Sequence, residues 1–206
     1  MDYVRPIEAI VPGVQGKVLT VLAGTETELT MSTVSRLAGT GVNRTVSVLN
    51  HLVTLGLVER RDVGASALVR LARENEAVRS ILELGRLRDA VLARIGNEVT
   101  TIDPAPLSVV VFGSMARGEA GPDGDIDVVV VRSSNVDADD ANWTASLGRW
   151  SEKARVIAGN PVNLLVVAEQ DVPKLLRRRY SVWREIVRDG ITLVGGNLQE
   201  IGASAR

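Results

Sequence analysis

The sequence predicts an α+β chain built in two parts, and three observations carry that reading. Apolar residues recur with a helical period to about residue 103, interrupted by one hairpin near residue 60, and beyond that strand-like and helix-like runs alternate to the end. Between the two regions, Ile102-Asp103-Pro104-Ala105-Pro106 breaks any helix. An apolar fraction of 45%, a charged fraction of 24% and a net charge of −1 describe an ordered globular chain and exclude a whole-protein electrostatic grip on nucleic acid. The 206 residues have room for two small domains, and we divide them as 1–73, 74–103 and 104–206. With no cysteine and a single histidine, His51, the chain has no disulfide, thiolate metal site or cysteine nucleophile, and little scope for a Ser-His-Asp triad. Its chemistry must rest on carboxylates, Arg, Lys and hydroxyls. Wholly apolar runs such as Val109 to Phe112 and Val128 to Val131 fall far short of the ~20 residues that span a bilayer. A cytoplasmic protein without membrane contact is expected.

Gly16 to Leu22 form the first predicted helix, with Val18, Leu19 and Leu22 inward. Ser32 or Thr30 can cap a second helix running to Ala38, and Gly39-Thr40-Gly41-Val42 supplies a turn. Asn43 is then an N-cap for a third helix with Val46, Leu49, Leu52, Val53 and Leu55 inward, ended by Gly56. Residues 57–61 and 67–71 alternate as two short strands around a tip at Asp62 to Ser66. The segment LTMSTVSRLAGTGVNRTVSVLNHLVTLGLVERR, within residues 14–73, resembles a winged helix-turn-helix of bacterial transcription regulators. That resemblance implies double-stranded DNA as a partner. It leaves Arg44, Thr45, Ser47, Val48, Asn50 and His51 on the outward side of the recognition helix and Arg60, Arg61 and Arg70 on the hairpin. Between Thr30 and Arg73 there are six arginines and two acids, a local excess of four positive charges suited to phosphate contact. The competing reading of the same module is a dimerisation or protein-contact domain.

Residues 74 to 98 repeat apolar side chains at Val78, Ile81, Leu82, Leu87, Val91, Leu92 and Ile95, which predicts one long linking helix that either crosses to a second subunit in a homodimer or packs on its own chain.

The second part opens with VVVFGSMARGEAGPDGDIDVVVV. A buried strand runs into Gly113-Ser114, where the missing side chain admits close backbone approach and the hydroxyl stands beside the first N–H groups of a short helix through Arg117. Such a turn cradles phosphate. Asp125 and Asp127 flank Ile126 as the next strand begins, and residues two apart on a strand share a face. Two carboxylates there suit one or two Mg²⁺ ions holding a triphosphate.

These residues resemble the DNA polymerase β-like nucleotidyltransferases, and within them the minimal nucleotidyltransferases that include many antitoxins and antibiotic-modifying enzymes. Gly113-Ser114-Met115-Ala116-Arg117-Gly118 followed by Asp125-Ile126-Asp127 carries the likeness, over about residues 104–195. It implies a mixed sheet with helices, Mg²⁺ or Mn²⁺ on Asp125 and Asp127, and a nucleoside triphosphate, with ATP expected, held by Gly113, Ser114 and Arg117. It implies transfer of a nucleoside monophosphate to a hydroxyl of a protein, RNA or small molecule, with a toxin protein or an RNA as partner. The pattern is departed from twice. Gly124 stands where Ser often precedes the first Asp. Asn163, on the strand Pro161 to Val167, occupies the position of a third carboxylate; an amide can ligate a metal but cannot act as a base. Glu169 or Asp171 just beyond that strand is a candidate substitute. The alternative function is therefore a transcription regulator whose second domain binds nucleotide without transferring it.

Asp139 to Ala158, with Trp143, Leu147, Trp150, Ala154 and Ile157 at helical spacing, predicts a helix covering the sheet. Lys174, Arg177, Arg178 and Arg179 form a basic run, Trp183, Ile186 and Val187 mark another packed helix, and Ile191 to Val194 a final edge strand.

Overall fold

A computed structural model describes residues 1–178 and 182–204. Arg179, the last member of the basic run, lies outside the described residues. The chain divides into two compact units, Arg5–Leu87 and a second made of Met1–Val4 with Arg88–Arg206.

In the first unit, α1 (Pro6–Ile10) and α2 (Val14–Ala23) precede a short strand β1 (Leu29–Thr30), α3 (Met31–Leu37), α4 (Val42–Thr54), the hairpin β2 (Val58–Val63) and β3 (Ser66–Leu71), and α5 (Glu76–Gly85). Thr30 caps α3 by accepting from the Thr33 N–H at 3.1 Å, one of the two caps expected there. β3 pairs antiparallel with both β1 and β2, and Gly64 (φ 57°) turns the hairpin. Val18, Leu19 and Leu22 of α2, Val34 of α3, Leu49 and Leu52 of α4, and Val58, Val69 and Leu71 of the hairpin close one apolar core.

The third helix departs from expectation at its start and in its rotation. It begins at Val42 with Gly41 as N-cap, one residue before Asn43, because a chain of hydroxyls fixes the turn instead of an Asn cap. Ser35 Oγ donates to Thr40 O at 2.6 Å, Thr40 and Thr45 hydroxyls share a hydrogen bond at 2.7 Å, and Thr45 Oγ1 donates to Gly41 O at 3.1 Å. Thr45 thus lies on the buried stripe with Leu49 and Leu52, Val48 packs against the core, and Leu55 is 51% exposed.

The linking helix expected over 74–103 is not one helix. α5 ends at Gly85, and α6 (Leu87–Glu98) starts after Arg86, whose φ of −105° and ψ of 17° leave the helical region. The apolar residues run on through the break because they serve different cores: Val78, Ile81, Leu82 and Leu84 pack in the first unit, whereas Val91, Leu92 and Ile95 are buried in the second.

The second unit continues from α6 through β4 (Ser108–Phe112), α7 (Gly113–Arg117), β5 (Ile126–Arg132), α8 (Ala141–Ala158), β6 (Val162–Ala168), α9 (Val172–Leu176), α10 (Val182–Asp189), β7 (Ile191–Gly195) and α11 (Leu198–Ser204). The strands lie in the order β6–β5–β4–β7, with β5 and β6 parallel and the other pairs antiparallel, which makes the sheet mixed. Alternation along the strands buries Val110, Phe112, Val129 and Val131 on one face beneath Val172, Trp183, Ile186, Leu198 and Ile201. On the opposite face Val109, Val111, Val128 and Val130 are buried too, as are Trp143, Leu147, Trp150 and Ala154 of α8. Asp140 caps α8 by accepting from the Trp143 N–H at 2.8 Å, and Gly159 ends it at φ 73°. None of the described helices is long and apolar enough to cross a membrane.

Candidate active site

The site is assembled by strand register. Asp127 on β5 stands opposite Phe112, the last residue of β4, and beside Asn163 on β6. Cross-strand neighbours share a face, so Asp127 and Asn163 sit at one end of the sheet with the start of α7 next to them. Asn163 Nδ2 donates to Asp125 Oδ2 at 3.1 Å and to Asp127 Oδ1 at 3.2 Å. One amide nitrogen therefore marks the point on which both carboxylates converge. Among the described residues neither Asp125 nor Asp127 is in an ion pair, and there is no cluster of three or more His, Cys, Asp or Glu side chains able to hold a metal.

Gly113 is required here on two counts. Its φ is 70°, a region L side chains rarely adopt, and a Cβ at that position would lie 2.6 Å from Asp127 Oδ2. The close approach brings the Gly113 backbone against the Asp127 carboxylate. Arg117, at the end of α7, donates to Glu119 at 2.8 Å. That hydrogen bond, helped by the charges of Glu119, Glu185 and Asp189, holds the Arg117 guanidinium above its ordinary pKa. The Arg117 guanidinium expected at the triphosphate is thus engaged with Glu119 in the fold.

Glu169 and Asp171 cannot stand in for the missing carboxylate, which corrects the expectation that they might. β6 runs from Asn163, level with Asp127, to Ala168, level with Arg132 at the far end of β5. Glu169 is six residues on from Asn163, roughly 20 Å away at ~3.3 Å per residue, and its carboxylate accepts from the Ser134 N–H and hydroxyl there.

On the first unit, Arg44, Ser47, Asn50 and His51 are exposed along α4 as expected. Thr45 is not: it is 0% exposed and bonded into the α3–α4 turn, so it cannot reach a base or phosphate. Arg60 bridges Asn50 and Asp62, Arg61 is paired with Glu28, and Arg70 with Glu59. Glu28 and Glu26, which pairs with Arg73, precede the window in which six arginines face two acids, so the local charge excess is smaller than the linear count. Arg44 has no hydrogen bond or ion pair among the described residues.

Residues 92–187 match the family model described as a nucleotidyltransferase domain, which supports a nucleotidyltransferase domain in the unit that carries Asp125 and Asp127. Among solved structures the chain is similar to a toxin–antitoxin crystallised with AMP-PNP, at 18% identity and a TM-score of 0.38, covering 55% of this chain and 82% of that one. A mutant of the toxin–antitoxin MntA-HpeT is similar at 15% identity and a TM-score of 0.38, with the same coverage of 55% and 82%. No curated protein sequence matches.

Proposed function

We propose that the chain transfers a nucleoside monophosphate, adenylate from ATP being the favoured donor, to a hydroxyl of a protein, RNA or small molecule. Pyrophosphate leaves as the new phosphoester forms. The observation that supports this most directly is the convergence of Asp125 and Asp127 on the Asn163 amide at 3.1 and 3.2 Å. Two carboxylates without a cationic partner among the described residues, bridged by one neutral amide, suit a divalent cation of the Mg²⁺ or Mn²⁺ type, which binds through one or two carboxylates and completes its shell with water and phosphate oxygens. Turning the Asn163 amide over would add its carbonyl oxygen as a ligand. When bound, the ion neutralises charge on the phosphates during displacement.

The chain's own groups do the rest. Asp125 and Asp127 fix the ion relative to the sheet, and the Gly113-Ser114 N–H groups with the Ser114 hydroxyl take the phosphate tail. Arg117 meets the tail only by leaving Glu119. Asn163 cannot accept the proton of the attacking hydroxyl, so bond formation proceeds without a base at that position.

The first unit, in this proposal, is a winged helix-turn-helix that binds double-stranded DNA through Arg44, Ser47 and Asn50 of α4 and the hairpin arginines Arg60, Arg61 and Arg70. A toxin protein or an RNA bears the acceptor hydroxyl. Asn163 favours one second reading, a regulator that binds nucleotide and no longer transfers it. Labelled ATP with Mg²⁺ or Mn²⁺, offered to candidate acceptors, separates the two: transfer abolished in Asp127→Ala establishes the enzyme. Saturable, cation-dependent binding without transfer establishes the sensor. Absence of any cation-dependent nucleotide affinity overturns both.

A further inference from the structure

The loop between α7 and β5, residues 118–125, has no regular structure of its own, yet Asp125 hangs from its end. Two of its backbone carbonyls are fastened by residues remote in sequence. Ala120 O accepts from the Tyr3 N–H at 2.9 Å, and Gly124 O, one peptide before Asp125, accepts from Asn160 Nδ2 at 2.7 Å. Asn160 is 2% exposed, and it also holds Met1, whose nitrogen donates to Asn160 Oδ1 at 2.7 Å and whose carbonyl accepts from Nδ2 at 3.3 Å. Tyr3 is 6% exposed; its hydroxyl donates to Ala158 O at the end of α8, a carbonyl the helix itself cannot satisfy. Next door, Ile126 N–H donates to Pro161 O at 2.8 Å. The loop is thus clipped between residues 1–4 on one side and the α8–β6 connection on the other. Among the described residues, Asn160 is the one side chain that bonds both the loop and Met1.

We infer that Asn160, with the strap Met1–Val4, positions the loop so that Asp125 converges with Asp127. The inference rests on the reading of that pair as the cation and nucleotide site. A buried amide that lost its partners would be costly, and a loop released at Gly124 would let the Asp125 carboxylate sample directions away from Asp127. Asn160 touches neither cation nor nucleotide in this scheme and acts only through the backbone of residue 124.

The test uses the full chain with Asn160→Ala and Asn160→Asp. The second keeps the shape and the acceptor for Met1 but removes the N–H donor to Gly124. Amide hydrogen exchange without nucleotide is expected to speed up at least tenfold across residues 118–126 in both variants, with β4 and α8 at wild-type rates. Mn²⁺ affinity in the presence of ATP, read by the electron paramagnetic resonance signal of the bound ion, is expected to fall about tenfold, while binding of ATP in chelator, measured separately, stays within twofold. Wild-type exchange across residues 118–126 in either variant, exchange that rises throughout the molecule in both, or unchanged Mn²⁺ affinity beside a responsive wild type overturns the inference. A wild-type protein with no cation-dependent ATP affinity overturns the proposed function instead, and the exchange result still decides whether Asn160 holds the loop.

Discussion

At Gly113 and Asn163 the identity of a single residue decides what the site can do. Alanine at 113 would place a methyl group 2.6 Å from Asp127 Oδ2 on backbone at φ 70°, so either the carboxylate or the turn must move. Gly113→Ala is expected to fold, with a stability loss of ~1–2 kcal/mol from the strained backbone, and to lose more than tenfold in Mn²⁺–ATP affinity by titration calorimetry. Asn163→Asp does the opposite. It removes the donor that now bridges Asp125 and Asp127 and puts a third negative charge between them. We expect a lower melting temperature in chelator, a rise on adding Mn²⁺ larger than that of wild type, and a transfer rate raised by roughly 10²-fold through general-base assistance. An unchanged response to Mn²⁺ would show that residue 163 does not face the ion. The Gly-Ser turn and the Asp-x-Asp pair were legible in the sequence because their chemistry is local, carried by adjacent or alternate residues. Asn160 and Tyr3 were not, because they reach the loop from 36 and more than 100 residues away and no spacing rule links them to it.

Element by element, the sequence was a good guide to where helices and strands lie and a poorer one to how they are turned. On α4 the apolar residues from Val46 to Leu55 suggested one inward face, but the buried stripe is Thr45, Leu49 and Leu52, at i, i+4 and i+7. A threonine among aliphatic residues hides such a stripe, and only the hydroxyl chain through Ser35 and Thr40 explains why a polar side chain lies there. The break between α5 and α6 was hidden for a related reason: an apolar period reports that a face is buried and not against which core. Two substitutions on α4 should therefore diverge. Thr45→Val is expected to cost about 1–2 kcal/mol in urea unfolding, by stranding the Thr40 hydroxyl. Arg44→Ala, one residue earlier and solvent-exposed, should leave unfolding within about 0.5 kcal/mol. If α4 is the DNA-reading helix, the same change weakens duplex binding and lowers the slope of log affinity against log salt by about one. Equal DNA affinity in wild type and Arg44→Ala would remove α4 from the interface.

Over the whole molecule, near-neutral net charge coexists with eleven ion-paired cations among the described residues, and these pairs shape the response to acid. The hydrogen bond from Arg61 holds Glu28 below its ordinary 4.5, the bond from Arg155 does the same for Glu152, and the bond from Arg188 lowers Asp189 below 3.8, aided by the charges of Arg188 and Arg117. A carboxylate whose folded pKa is depressed binds protons more readily in the unfolded chain. Its stabilising contribution is complete above the unfolded pKa and disappears as pH falls through the folded value. The arginine of each pair is exposed, so each contribution is modest and screened by salt. Comparing wild type with the combined variant Glu28→Gln, Glu152→Gln, Asp189→Asn in urea unfolding isolates them from the other acids of the chain. The wild type is expected to be the more stable at pH 6, with the gap narrowing once pH drops below about 4.5, closing as pH falls through the depressed folded values, and shrinking at pH 6 when salt is raised. A gap that persists undiminished in acid would mean that these side chains stabilise the fold by packing, and that the arginines beside them, Arg61 of the hairpin included, are not held by charge and are available to an anionic partner at no electrostatic cost.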